Sequence, residues 1–136
     1  MDLVTGATGH IGNVLVRTLL KHGRKVRCLI RKGEKTESLK DLTVEYVEGD
    51  ITDYSSVDKA CKGVDVVYHL AAVISVLPGK KKLIESVNIG GTNNIIRACV
   101  DNRINKLLYV STIHALREPP IGQAITEDVG FDPKTK

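Results

Sequence analysis

The octapeptide Thr5–Gly12, T-G-A-T-G-H-I-G, follows the apolar residues Leu3 and Val4 and runs into an amphipathic stretch carrying Ile11, Val14, Leu15 and Leu19. That order predicts a strand, a tight glycine turn and a helix. Each glycine has its own task. Gly6 lets the chain turn sharply off the strand. Gly9 has no side chain, so a pyrophosphate can approach the main chain, and Gly12 lets the helix pack closely on the strand. The first helical turn then offers unpaired N–H groups and the positive end of the helix dipole to an anion. A phosphate-bearing cofactor suits such a turn. The spacing alone also fits a plain strand-to-helix turn in another α/β protein, so the rest of the chain must be weighed with it.

Beyond the first helix, Gly23 is a natural stop. Lys25–Arg31 predicts a second strand, Lys32–Lys40 a polar loop or short helix, and Thr43–Val47 a third strand with Val44, Tyr46 or Val47 inward according to register. Asp53 can cap a helix that carries Tyr54, Val57 and Cys61 on one face and ends at Gly63. Val64–Ala72 is nearly all apolar, as a central parallel strand covered on both faces would be. Pro78-Gly79 and Lys80–Lys82 read as a loop. A long helix follows, with Ile84, Val87, Gly91, Ile95 and Ala98 at spacings of three and four, and then a fifth strand, Leu107–Val110. From Arg117 the periodicity is lost, and Pro119, Pro120, Gly122, Gly130 and Pro133 mark an extended tail. The alternation implies one α/β domain over residues 1–136: a Rossmann-type, doubly wound parallel sheet of strand order 3-2-1-4-5, with a ligand at the switch between strands 1 and 4.

Composition narrows the function classes. The 136 residues are 42% hydrophobic and 26% charged, ordinary for a globular domain able to bury a core. No apolar run nears the roughly 18 residues of a membrane span, and no signal-peptide pattern opens the chain, so a cytoplasmic location away from membranes is expected. Cys28, Cys61 and Cys99 are odd in number and lack a C-x-x-C spacing, which reads as reduced core thiols. The net charge of +4 comes without a basic stripe and interleaved aromatics, which argues against nucleic acid and suits an anionic cofactor. His10, His22, His69 and His114 have no metal-like spacing.

The candidate site residues gather at predicted carboxyl ends of strands. Arg31 and Lys32 end the second strand, where NAD-binding domains usually place an acid on the adenosine ribose, and a guanidinium there suits a 2′-phosphate. A solvated basic strand end is the plainer alternative. Asp50, followed by Ile51, could hold the adenine amino group or simply form a turn. Ala71 and Ala72 leave room for a cofactor or serve tight packing. Asn88 could anchor a water or backbone near the site, or face the Gly90-Gly91 contact. Ser111 and Thr112 end the fifth strand, where a hydroxyl could reach a substrate carbonyl.

Five stretches taken together resemble the extended branch of the short-chain dehydrogenase/reductase family, and within it dihydroflavonol-reductase-like and epimerase/dehydratase-like members. They are TGATGHIG, GDITD (Gly49–Asp53), VYHLAA (Val67–Ala72), VNIGGTNN (Val87–Asn94) and LLYVST (Leu107–Thr112), in the family's order. TEDVGFDPK (Thr126–Lys134) also resembles the stretch before the family's catalytic tyrosine. The resemblance implies that Gly6, Gly9 and Gly12, with the backbone of Thr8, His10 and Ile11, bind the pyrophosphate side of a dinucleotide. Asp50 and Ile51 would contact adenine. Leu70, Ala71 and Ala72 would line the nicotinamide-side ribose, with Ser111 also on the cofactor. Thr112 would polarise a substrate carbonyl, and Asn88 would match the family's helix asparagine.

The chain departs from the family in one respect: it reaches Lys136 without a Y-x-x-x-K, the tyrosine acid/base and its lysine. Two functions follow. One is the NADP(H)-binding portion of a longer reductase, dehydrogenase or epimerase, preferring NADP(H) to NAD(H) and moving hydride to or from a small-molecule carbonyl or nucleotide-sugar substrate. The other is a non-catalytic dinucleotide-binding or sensor protein. In either case the 136 residues alone are expected to lack the family's redox activity, and the open edge of the fifth strand is expected to lead to a homodimer, aggregation or weak folding unless Arg117–Lys136 folds back over it.

Overall fold

The computed structural model describes residues 1–74 and 79–132. Five parallel strands form one sheet in the order β3-β2-β1-β4-β5. They are β1 (Asp2–Thr5), β2 (Val26–Ile30), β3 (Glu45–Glu48), β4 (Val66–His69) and β5 (Lys106–Tyr109). The order reverses beside β1, whose Thr5 pairs with Leu29 on one side and His69 on the other. Such a reversal leaves a crevice at the carboxyl edge, because successive crossovers leave in opposite directions.

Alternation along the strands sorts the core into two layers. Leu3, Leu29 and Val67 pack under α2 (Tyr54–Cys61) and the later helices, with Val57 and Ile95. Val4, Cys28 and Ile30 face the other way, against Val16 and Leu19 of α1 (His10–Lys21) and against Leu39. Both faces are therefore covered, as the apolar runs require. In β3 the register turns Val47 to the first layer and Val44 packs on the second, while Tyr46 stays largely exposed and donates to the Leu39 carbonyl at 3.3 Å.

Several expectations are corrected. The buried stripe of α1 is Gly12, Val16 and Leu19, whereas Ile11 and Val14 are 61% and 55% exposed. The helix is rotated so that its glycine, not its first isoleucine, meets the sheet. β4 is shorter than Val64–Ala72, because beyond Leu70 the chain leaves the ladder: Leu70 N still donates to Thr5 O, but Ala71 N is taken by the Thr5 hydroxyl. Lys81 and Lys82 are not loop; they open α3 (Lys81–Ile84). The long helix is interrupted by a wider π-type stretch, Glu85–Gly91, before α4 (Thr92–Asp101). The tail closes on itself, with Leu116 bridged to Phe131 and Arg117 N donating to Gly130 O at 3.0 Å. Pro78, and Pro133 to Lys136 of the predicted tail, lie outside the described residues.

Two anchors were not foreseen. Asp2 is fully buried at the start of β1 and is held by Arg24 through Nε and Nη2 at 2.9 and 2.5 Å. Arg27 donates to the carbonyls of Ala60 and Lys62 at 2.7 Å each, satisfying the end of α2 that Gly63 terminates. Cys28, Cys61 and Cys99 are buried free thiols, and burial pushes the Cys28 thiol up to about 12.

Candidate functional site

Two adjoining clefts, of about 580 and about 260 Å³, run along the carboxyl edge and share Arg31, Glu34, Gly49 and Asp50 in their walls. The smaller one lies over the switch point. The glycine turn forms one side, with Gly6, Thr8 and Gly9, and the segment leaving β4 forms another, with Leu70, Ala71, Ala72 and Val73. Ile51 and Val87 complete it. The larger one carries Arg31 and Lys32 beside Gly33 and Ser56.

The turn is shaped by its glycines. Gly6 has φ +69°, and a Cβ there would stand 2.8 Å from Ala71 N. A Cβ on Gly12 would lie 2.1 Å from the Gly6 carbonyl oxygen, so α1 can reach the strand end only with glycine at that position. Gly9 N donates to Gly6 O at 3.1 Å, and no side chain caps α1. The first helical turn, with His10, Ile11 and Gly12, therefore opens toward the edge with its N–H groups free of an internal acid.

A directed hydrogen-bond chain braces the opposite wall. Leu70 N and Ala71 N both donate to Thr5 Oγ1, at 3.3 and 3.2 Å. The Thr5 hydroxyl proton must then go to His69 Nδ1, 2.7 Å away. That leaves the imidazole proton on Nε2, facing Thr92 Oγ1 at 3.1 Å, and Thr92 in turn donates to Asn88 O at 2.7 Å. His69 is buried, stacks on Tyr109, and is held neutral by burial, which lowers its pKa to about 4. Asn88 closes the brace: its side chain accepts from Val73 N at 2.8 Å and donates to Val73 O at 3.0 Å. Of the alternatives for Asn88, backbone anchoring beside the cleft is the one observed.

The basic end of β2 holds a residue the sequence did not single out. Arg31 Nε donates to Glu34 at 3.0 Å, and the same carboxylate accepts from the Thr8 hydroxyl of the glycine turn. Burial pushes the Glu34 carboxyl up, but the bonds from Thr8 and Arg31 outweigh it and hold it below its usual value. The available signal was modest: an acid one residue after Gly33, whose φ of +72° reverses the chain just beyond the strand. Asp50 does form a turn, Oδ1 accepting from Thr52 N and Oγ1 at 2.8 and 2.7 Å, and it lines both clefts as well. Ser111 and Thr112 follow β5 on the same edge, exposed and outside both clefts, with Thr112 Oγ1 capping His114 N at 3.3 Å. Among the described residues no cluster fit for a metal ion occurs, and no helix is long and apolar enough to cross a membrane.

Known proteins align with this arrangement. Sterol demethylase protein B of Methylococcus capsulatus is 38% identical over 120 residues, 88% of this chain and 37% of that protein. Short-chain dehydrogenase/reductase family 42E member 1 of Danio rerio is 36% identical over 118 residues, 84% of this chain and 30% of that protein. The solved UDP-glucose 4-epimerase of Thermus thermophilus, in complex with NAD, superposes with a TM-score of 0.82 at 30% identity, over 98% of this chain and 45% of the epimerase. The chain thus spans less than half the length of each. These likenesses agree with the extended short-chain dehydrogenase/reductase features of the sequence. Residues 3–130 match the 3-beta hydroxysteroid dehydrogenase/isomerase family, to which this chain belongs.

Proposed function

We propose that the chain is the NADP(H)-binding portion of a short-chain dehydrogenase/reductase of the extended type. In the whole protein hydride would move between the nicotinamide and a carbonyl or alcohol carbon of a small molecule or nucleotide sugar. The observation that carries this is the cleft over the β1/β4 switch, floored by the glycine turn and ending at Arg31 and Lys32. The residues present fit a dinucleotide: Gly9 leaves the main chain open, the α1 start offers N–H donors that suit a pyrophosphate, and Arg31 and Lys32 in the larger cleft are cations that would suit a 2′-phosphate. NAD in the related epimerase supports the dinucleotide class.

The chain's own residues bind and orient. Gly6, Thr8, Gly9, His10, Ile11 and Gly12 would hold the pyrophosphate, Asp50 and Ile51 the adenine, and Leu70, Ala71, Ala72 and Ser111 the nicotinamide half. Bound there, the dinucleotide supplies the hydride donor or acceptor. Thr112 would donate a hydrogen bond to the substrate carbonyl, and Asn88 would position the Val73 segment. No tyrosine here has lysine four residues on: the positions after Tyr46, Tyr54, Tyr68 and Tyr109 are Asp50, Asp58, Ala72 and Ile113. None of the four therefore fits the tyrosine–lysine acid/base pair.

Titration calorimetry with NADPH and NADH tests the cofactor assignment. A charged hydrogen-bonding contact contributes about 1.5–3 kcal/mol, so Arg31→Ala should weaken NADPH binding about ten-fold and leave NADH nearly unchanged. Equal losses for both cofactors would remove Arg31 from the 2′-phosphate.

A further inference from the structure

Thr92 opens α4 at the point where the π-type stretch Glu85–Gly91 ends. Turns of that kind are rare within helices and gather at functional sites. The hydrogen bonds around this one form a circuit that begins and ends on the cleft wall. Ala71 N donates to Thr5 Oγ1, which donates to His69 Nδ1. His69 Nε2 donates to Thr92 Oγ1, which donates to Asn88 O. The Asn88 side chain then holds both backbone polar atoms of Val73. Each hydroxyl has a single proton, so the circuit keeps all its bonds in one direction only. The adenine-side wall is held separately, with Asn94 Nδ2 donating to Ile51 O at 2.9 Å.

We propose that Thr92, which lines neither cleft, is a positioning residue for the nicotinamide half of the site and acts through the tautomer of His69 on Ala71. With Thr92 as acceptor, the imidazole keeps its proton on Nε2 and leaves Nδ1 to the Thr5 hydroxyl. Without that acceptor a buried N–H would be unpaired, and the ring is better served with its proton on Nδ1, aimed at Thr5. Thr5 Oγ1 would then face three N–H donors, from Leu70, Ala71 and His69, with two lone pairs. Leu70 N keeps Thr5 O at 3.3 Å. Ala71 N has no second acceptor among the described residues, so Ala71 is the one released. The inference rests on the cleft being the dinucleotide site proposed above.

The test compares the parent chain with Thr92→Val, which keeps the shape and removes the hydroxyl, and Thr92→Ser, which keeps the hydroxyl. Each is titrated with NADPH, NADH and ADP, the last ending at the pyrophosphate, and the His69 ring is followed by nitrogen NMR at neutral pH. The parent ring should be protonated on Nε2. Thr92→Val should move the proton toward Nδ1 and weaken NADPH and NADH alike, by about five-fold, with ADP changed by less than about two-fold. Thr92→Ser should restore both the tautomer and the affinities. A parent ring protonated on Nδ1 overturns the proposal without any variant. So does a Val variant that keeps the parent tautomer, or one that leaves the three ligands unchanged or weakens them by one factor. Should the Val variant fail to fold, Thr92→Ala gives the same comparison. If the parent binds none of the three ligands, it is the underlying dinucleotide reading that fails.

Discussion

At the scale of single residues, the site is held by neutral and charged groups whose states depend on their neighbours. His69 is the clearest case. Its folded pKa is about 4, against about 6.5 for an exposed imidazole. Between those values the unfolded chain binds the extra proton and the folded chain does not, so stability rises with pH through that window. The His69 contribution is complete above about pH 6.5 and is lost as pH falls toward 4. At about 1.4 kcal/mol per pKa unit, the swing is on the order of 3 kcal/mol. Denaturant melts from pH 7 to 4 should show that extra slope in the parent chain and lack it in His69→Gln. Parallel curves for the two would mean that the imidazole is not held neutral by burial. The placement of Arg31 and Lys32 at the carboxyl end of β2 was legible because the strand pattern runs straight into them. Glu34 was not, since its meaning comes from Thr8, which lies 26 positions away in the chain and meets it only after folding.

Among the elements, the glycine turn and α1 show how close packing and ligand access are divided between neighbouring positions. A methyl on Gly12 would collide with backbone, the Gly6 carbonyl at 2.1 Å and Ala7 Cα at 2.9 Å, and neither can rotate away. A methyl on Gly9 would meet only Gly6 O, at 3.3 Å. Gly12→Ala should therefore cost about 3 kcal/mol of stability, the upper part of the overpacking range, with loss of cofactor binding following from the displaced turn. Gly9→Ala should cost about 1 kcal/mol in stability, because Ala is a poorer N-cap than Gly and its methyl crowds the Gly6 carbonyl, while weakening NADPH. Thermal melts paired with titrations separate the two, and a Gly12→Ala chain as stable as the parent would contradict this packing. The turn and the capped start of α2 at Asp53 were readable because local chemistry specifies them, Asp53 accepting from Ser55 N and Ser56 N. The π-type stretch at Glu85–Gly91 was not. The apolar spacing through it stays helical, and its interruption accompanies the contacts of Asn88 with Val73 and of Thr92 with His69.

For the whole molecule, sheet order followed from the alternation of strands and helices together with the glycine turn at the first crossover, and the observed order is the expected one. The tail could not be read that way, because the bridge from Leu116 to Phe131 joins segments with no shared periodicity. Along β5 and just past it, Leu108, Tyr109, Val110 and Ile113 remain exposed, an uncovered edge in a chain that spans less than half of the relatives it matches. The two ends of the sheet differ in kind. The carboxyl edge carries the glycine turn, Glu48 to Ile51, the Leu70–Val73 segment and the basic end of β2. The opposite edge carries Lys25, Gly63, Asp65 and Asn105. An amide NMR titration with NADPH reports where the ligand sits without requiring catalysis. Shifts are expected at Gly6 to Gly12, Arg31 to Glu34, Gly49 to Ile51 and Leu70 to Val73, with Lys25, Gly63, Asp65 and Asn105 unmoved. Saturable shifts centred on the opposite edge, or none at millimolar NADPH, would contradict that expectation.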